Sequence, residues 1–202
     1  MQSLFRYEQV HERVIRINGL LGLSNEFFYL VLGDRLAVYV DTGFGFGDLT
    51  ALARRFTPLP LLVLNTHGHA DHAGGDIQFP QVYACPEDWD MVRRVCRAGP
   101  PDAMAADLLA KAGIFTGPDP VFAPEGHEPE LLPIRDGDRF DLGGVTLEAI
   151  AMPGHSRGCV SFLFREARIL FSGDSCGPQP LLMLPADPPE PGRYSSAPLE
   201  VY

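Results

Sequence analysis

Residues 65–75 read NTHGHADHAGG and hold three of the chain's six histidines, His67, His69 and His72, with Asp71 among them. Neutral imidazoles and carboxylates are the groups that zinc and similar cations take, and coordination needs several of them to converge within a few ångströms. His67 and His69 are two residues apart, so at the end of a strand both side chains leave on the same side. Asp71 and His72 follow after one small residue, Ala70, and Gly68, Gly74 and Gly75 permit the tight path that convergence demands. A polar surface loop could carry the same composition. A continuous apolar run, LPLLVL, emptying into four ligand-type side chains is far more specific, and the spacing favours two adjacent metals over one.

Two further strand ends can complete such a site. His155 sits in MPGHSRG and Asp174 in ILFSGDS, each where an apolar segment runs into a Gly-bounded turn. Either alone is weak, because Asp after Gly is an ordinary turn residue and a strand-end histidine is often satisfied by backbone. Three strand ends delivering ligands to one edge make a metal cleft. Cys176, two residues after Asp174, would bind zinc well as a thiolate. His127, alone in a polar loop, reads as solvated surface. Ser156, Ser172 and Ser175 flank the motifs, but no Ser–His–acid set stands apart from the ligands, so they read as turn residues.

The elements that must position these groups are short strands. From Arg13, VIRINGLLG, NEFFYLVLG and RLAVYVDTG are apolar segments punctuated by Gly and Asn. GDLTALARRF (47–56) reads as a helix with Asp48 near its start, and the run into the histidines reads as a buried strand. QVYAC (81–85) is a strand; PEDWDMVRRVCRAG and PDAMAADLLAKAG read as helices with early Pro and terminal Gly. Residues 114–130 are rich in Pro and Gly and have no period, which predicts a loop draped over a site. Strands return in LLPI, in DRFDLGGVTLEAIAM around a GG turn, and in CVSFLFREARILF around a turn at Glu166–Ala167. Strand-then-helix order without strict alternation predicts sheets packed on each other with helices outside.

At 202 residues the chain is expected to form one domain, 1–202, with 86–130 as a helical and loop lid. Hydrophobic residues at 46% and charged residues at 21% place it among folding sequences. A net charge of −10 argues against nucleic-acid backbones and anionic membranes as partners, because both require a positive patch. No run is long enough to span a bilayer and the N-terminal stretch has no secretory core, so the expected location is the cytoplasm. The four cysteines form no CxxC pair, and three of them read as small packed hydrophobes.

With VDTG (40–43), THGHADHAGG (66–75), DGDRFDLGG (136–144), PGHS (153–156) and SGD (172–174) in this order, the sequence resembles the metallo-β-lactamase-fold hydrolases, a superfamily that includes glyoxalase II, lactonases and related esterases. The resemblance implies an α+β protein, an αββα four-layer sandwich with its site along one edge. It puts His67, His69 and His155 on one metal and Asp71 and His72 on a second, with Asp174 bridging, and makes Asp41 a carboxylate that orients a ligand imidazole. The family pattern carries a further histidine and a closing helix after the SGD motif, and no histidine follows His155 here. The expectation is a member lacking its C-terminal strand and helices.

The chemistry implied is metal-assisted hydrolysis with two zinc ions. A bound metal lowers the pKa of water from 15.7 to about 7, making hydroxide available, and polarises the substrate oxygen. Asp71 would orient that water and pass its proton to the leaving group. A small ester, thioester or lactone is the expected substrate. Trp89, Phe115 and Phe122 either line an apolar pocket or pack in the core, the more common fate of aromatics. Two alternatives remain: a persulfide-oxidising enzyme with one iron on His67, His69 and His155, and a noncatalytic metal-binding remnant.

Overall fold

The computed structural model describes residues 5–19, 26–99, 107, 110–112 and 128–176. The chain opens as an antiparallel meander, β1 (Arg6–His11), β2 (Val14–Asn18), β3 (Phe28–Leu32) and β4 (Ala37–Val40). It then turns parallel: α1 (Leu49–Ala53) leads to β5 (Leu61–Leu64), α2 (Ala70–Ala73) to β6 (Gln81–Ala84), and α3 (Trp89–Ala98) precedes β7 (Glu130–Pro133). These seven strands form one sheet in sequence order. A second, antiparallel sheet holds β8 (Arg139–Asp141), β9 (Thr146–Ala151), β10 (Val160–Phe164) and β11 (Ile169–Phe171) in the order β11-β10-β9-β8.

The central strands are apolar on both faces because both are covered. Leu30, Tyr39, Val63 and Val82 point into a core with Leu49 and Leu52 of α1 and Val92 and Cys96 of α3. Their neighbours in the period-two alternation, Val31, Val38, Val40 and Leu64, point the other way, into a core with Leu147, Ala149, Phe162 and Phe164 of the second sheet. Burying each Leu, Val or Phe here contributes about 1.5–3 kcal/mol. Tyr39, fully buried, satisfies its hydroxyl by donating to the Leu49 carbonyl at 2.8 Å, which fastens α1 to the sheet. The result is the helix–sheet–sheet order of an α+β sandwich. The buried apolar helix side chains all lie in the first core, and the fourth, outer helical layer falls on none of the described residues.

Several expectations are met closely. α1 starts where Asp48 stands, whose carboxylate accepts from the Ala51 N–H. The Gly143–Gly144 turn joins β8 to β9, and α3 ends on Gly99. Others differ. β1 is not foreseen by the apolar pattern because RYEQV is exposed throughout; backbone pairing with β2 and the exposed Glu8–Arg16 ion pair hold it. The helix expected from Pro86 opens as a 3₁₀ turn, Pro86–Asp88, before α3. Trp89, half-buried, packs against the first core with its indole N–H donating to the Ala84 carbonyl. Phe115, Phe122, His127 and most of the proposed lid lie outside the described residues. All four cysteines are free thiols: Cys96 and Cys159 are buried, Cys85 is half-buried and Cys176 is exposed. Among the described residues no helix is long and apolar enough to cross a membrane.

Candidate metal centre

Topology brings the ligand-type residues together. β4 and β5 are parallel, and β9 and β11 both run antiparallel to β10, so within each sheet the segments that follow these strands emerge at a common edge. Asp41 follows β4, His67 and His69 follow β5, His155 follows β9, and Asp174 lies in the 3₁₀ turn Gly173–Ser175 after β11. His72 sits in α2, whose first residue follows His69. A backbone bond from Val160 N–H to the Thr66 carbonyl, 2.8 Å, joins the two sheets beside the site.

Two groups of candidate ligands result, sharing His67. The first is His67, His69 and His155; the second is His67, His72 and Asp174. In the first, His69 Nδ1 lies 3.0 Å from His67 Nε2 and 2.8 Å from His155 Nε2. Such spacing approaches the separation of neighbouring nitrogens around a tetrahedral zinc at Zn–N of about 2.0–2.1 Å. Asp174 faces both groups, with Oδ1 at 3.4 Å from His72 Nε2 and Oδ2 at 3.3 Å from His155 Nε2. Asp71, part of neither group, approaches from the exposed side with Oδ2 at 3.6 Å from His72 Nε2. Cys176 is also part of neither.

A hydrogen-bond relay behind the histidines fixes their tautomers. His72 Nδ1 donates to Asp41 Oδ2 at 2.8 Å, which turns Nε2 toward Asp174. The Thr66 hydroxyl donates to the same Asp41 oxygen at 2.8 Å and so accepts from His67 Nδ1 at 3.1 Å, freeing His67 Nε2 toward His69. Thr66 N–H completes the set with a 2.7 Å bond to Asp41 Oδ1. Asp41 holds this position at φ 62°, a left-handed conformation that Asp tolerates better than most residues.

The electrostatics fit a cation. Burial, then the neighbouring imidazoles, hold His67 well below the ordinary histidine value; burial and His155 bring His69 down to about 4, against the pull of Asp71 and Asp174. Burial also lowers His155, opposed by Asp174. Three rings held toward the neutral form therefore meet nitrogen to nitrogen at 2.8 and 3.0 Å, and the buried Nδ1 of His155 has no hydrogen-bond partner among the described residues. His72 goes the other way. Burial works to lower its pKa, but Asp41 and Asp174 outweigh burial and raise it well above the usual value. Asp174 is correspondingly lowered, first by its hydrogen bond with His72. Without a metal, the carboxylates around His72 thus draw a proton to it, the positive charge that a cation at Nε2 would supply instead. The donor set, imidazoles with carboxylates at one end, suits zinc or iron.

The sequence singled out every residue of both groups. It missed Thr66, Asp76 and Asp88, buried polar residues whose partners lie far along the chain.

The sequence profile of the metallo-beta-lactamase superfamily matches residues 21–199. Acyl-coenzyme A thioesterase MBLAC2 from Bos taurus is 30% identical over 182 residues, covering 78% of this chain and 63% of its own length. The uncharacterized protein Rv2581c of Mycobacterium tuberculosis is 32% identical over 148 residues, covering 69% of this chain and 62% of its own. The chain thus spans about 63% of the length of the first of these curated relatives. Among solved structures, the metallo-beta-lactamase GOB-18 from Elizabethkingia meningoseptica superposes with a TM-score of 0.51 at 18% identity, covering 80% of this chain and 56% of that one. That likeness bears on the fold alone. From the profile match, from the order of its motifs and from the edge at which they meet, this chain belongs to the metallo-beta-lactamase superfamily.

Proposed function

We propose that this protein is a metal-dependent hydrolase of a small thioester, ester or lactone, with two zinc ions held by His67, His69 and His155 and by His72, Asp71 and Asp174. The observation that carries the reading is the position of Asp174, which turns one carboxylate oxygen to each histidine group. A carboxylate so placed suits a bridge between adjacent cations. Bound zinc would lower the pKa of water to about 7 and polarise the scissile carbonyl.

The chain's own residues do the rest. Asp41 and Thr66 hold His67 and His72 with their Nε2 atoms forward. The sandwich covers the rear of the site, where His67 is 1% exposed, so its imidazole competes little with bulk water. Asp71, with 39% of its side chain exposed, stands at the open side, where it can take a proton from the attacking water and give it to the leaving group. Residues 86–99 of the expected lid pack instead on the first core through Trp89, Val92 and Cys96, and the free thiols agree with a cytoplasmic location. The thioester is favoured because the MBLAC2 relative is an acyl-coenzyme A thioesterase.

The test is metal content by elemental analysis, followed by turnover of an acyl thioester, a simple ester and a lactone by the zinc-loaded protein. About two zinc per chain with thioester cleavage is the expected result. One iron per chain with oxygen uptake on a persulfide, or metal loading with no turnover of any of the three substrates, would overturn the proposal.

A further inference from the structure

Asp88 is 2% exposed and is the last residue of the 3₁₀ turn Pro86–Asp88, immediately before α3. An aspartate there ordinarily caps the helix by accepting from its first N–H groups. Asp88 makes no such bond. Its carboxylate turns away from α3 and accepts from three donors on the two ligand loops. Oδ2 accepts from Gly68 N–H at 3.0 Å and from the Ser156 hydroxyl at 2.6 Å, and Oδ1 accepts from Gly158 N–H at 2.9 Å. Gly68 stands between His67 and His69, and Ser156 follows His155.

The surroundings are shaped for this carboxylate. A Cβ on Gly158 would lie 2.6 Å from Asp88 Cγ, and one on Gly68 would lie 3.1 Å from the Asp88 carbonyl oxygen and 2.9 Å from Met91 Cβ. Both loops therefore approach the start of α3 as closely as a backbone without side chains allows. The donors are all neutral, and the buried N–H groups of Gly68 and Gly158 would lose their partner if the carboxylate left, while the Ser156 hydroxyl would keep its contact with Cys159 Sγ at 3.1 Å.

We propose that Asp88 is a positioning residue for the first histidine group: one buried carboxylate ties the loop of His67 and His69 to the loop of His155 and so sets their separation. It is not a ligand: it belongs to neither group of candidate ligands, and its oxygens are engaged by Gly68, Ser156 and Gly158. The contact of 2.8 Å between His155 Nε2 and His69 Nδ1, across 86 residues of sequence, is the distance it maintains. The inference rests on the reading of that group as a metal site.

The substitution Asp88→Asn tests it at nearly constant volume. Whichever way the amide turns, its NH₂ faces a backbone N–H, of Gly68 or of Gly158, and one of the two ties is lost. Zinc affinity, measured by competition with a chromogenic chelator, is expected to fall about 10- to 100-fold, the usual effect of losing a partner behind a metal ligand. The visible spectrum at saturating cobalt is expected to shift, a signature that lost stability alone would not move. Ser156→Ala, which removes one bond and leaves Asp88 in place, is expected to give a smaller loss in the same direction, and it decides the matter if the Asn variant does not fold. Unchanged zinc affinity and cobalt spectrum in a folded variant would overturn the positioning role while leaving the metal site standing. Wild-type protein that takes up no metal would remove the metal-site reading itself, and this inference with it.

Discussion

Asp41 Oδ2 accepts the Nδ1 proton of His72 at 2.8 Å, although 31 residues separate them. The same oxygen receives the Thr66 hydroxyl, so one carboxylate sets the tautomer of His72 directly and that of His67 through Thr66. Asp41→Asn leaves an oxygen for only one side of this relay and places an amide N–H against a donor on the other. Asn tolerates the left-handed backbone as well as Asp does, so the variant should keep the local path. The expected result is a 10- to 100-fold loss of zinc affinity, roughly, with the far-UV circular dichroism unchanged. Wild-type affinity in the variant would show that the relay does not orient the rings.

Asp71 separates ligand from proton carrier. It lies outside both compact ligand groups, with Oδ2 3.6 Å from His72 Nε2, and like Asp174 it is partly exposed where His67, His69 and His72 are buried. Asp71→Asn is expected to lower kcat on the thioester by about 10²- to 10⁴-fold, the range for loss of a general acid or base. Metal at the first group, His67, His69 and His155, should be retained. A variant that loses all metal would make Asp71 chiefly a structural ligand, and one with full kcat would take the proton-transfer role from it.

The histidines were legible because metal chemistry concentrates its demands into a few residue types at strand ends, and His67, His69 and His72 are close in sequence. His155 and Asp174 were legible because each repeats the same strand-to-glycine turn. Asp88 was not, because its partners are 20, 68 and 70 residues away and an aspartate ahead of a helix reads as a cap. The alternation of β3 to β6 showed buried strands but could not show that one face meets helices and the other a second sheet. β1 escaped altogether, since it buries no face and leaves no period to read.

Metal should stabilise the fold as well as run its chemistry. His67 and His69 are held neutral by burial, and the first group exists only when β5 and β9 are in place. Zinc that binds the folded chain alone at a free concentration about 100 times Kd contributes about 2.7 kcal/mol. Thermal unfolding should therefore rise with zinc, fall with chelator, and lose its zinc dependence largely in His69→Ala. Because protons compete for the same nitrogens, the zinc increment should also shrink as pH falls. A Tm indifferent to zinc and chelator would count against the site.

Asp76 gives the chain a pH dependence of the opposite kind. It is fully buried between Asn65 and Thr42, both of which donate to it. Burial dominates, aided by the charge of Asp41, and raises its pKa from 3.8 to about 8 despite those two hydrogen bonds. The Thr42 hydroxyl lies 2.8 Å from Asp76 Oδ1 and 3.0 Å from the His72 carbonyl, and it has a single proton. A protonated Asp76 lets both contacts be hydrogen bonds. The folded pKa being the higher one, the stabilisation is fully present below the unfolded value near 4. It is lost progressively as pH rises and is gone above the folded value of about 8. Asp76→Asn keeps the shape without the titration. The stability of the wild type relative to this variant should therefore fall from about pH 4 to about pH 8 and level off above, as read by urea unfolding of both proteins across that range. A difference that stays flat, or that grows with pH, would mean that Asp76 is ionised in the folded chain, with Asn65 and Thr42 outweighing its burial.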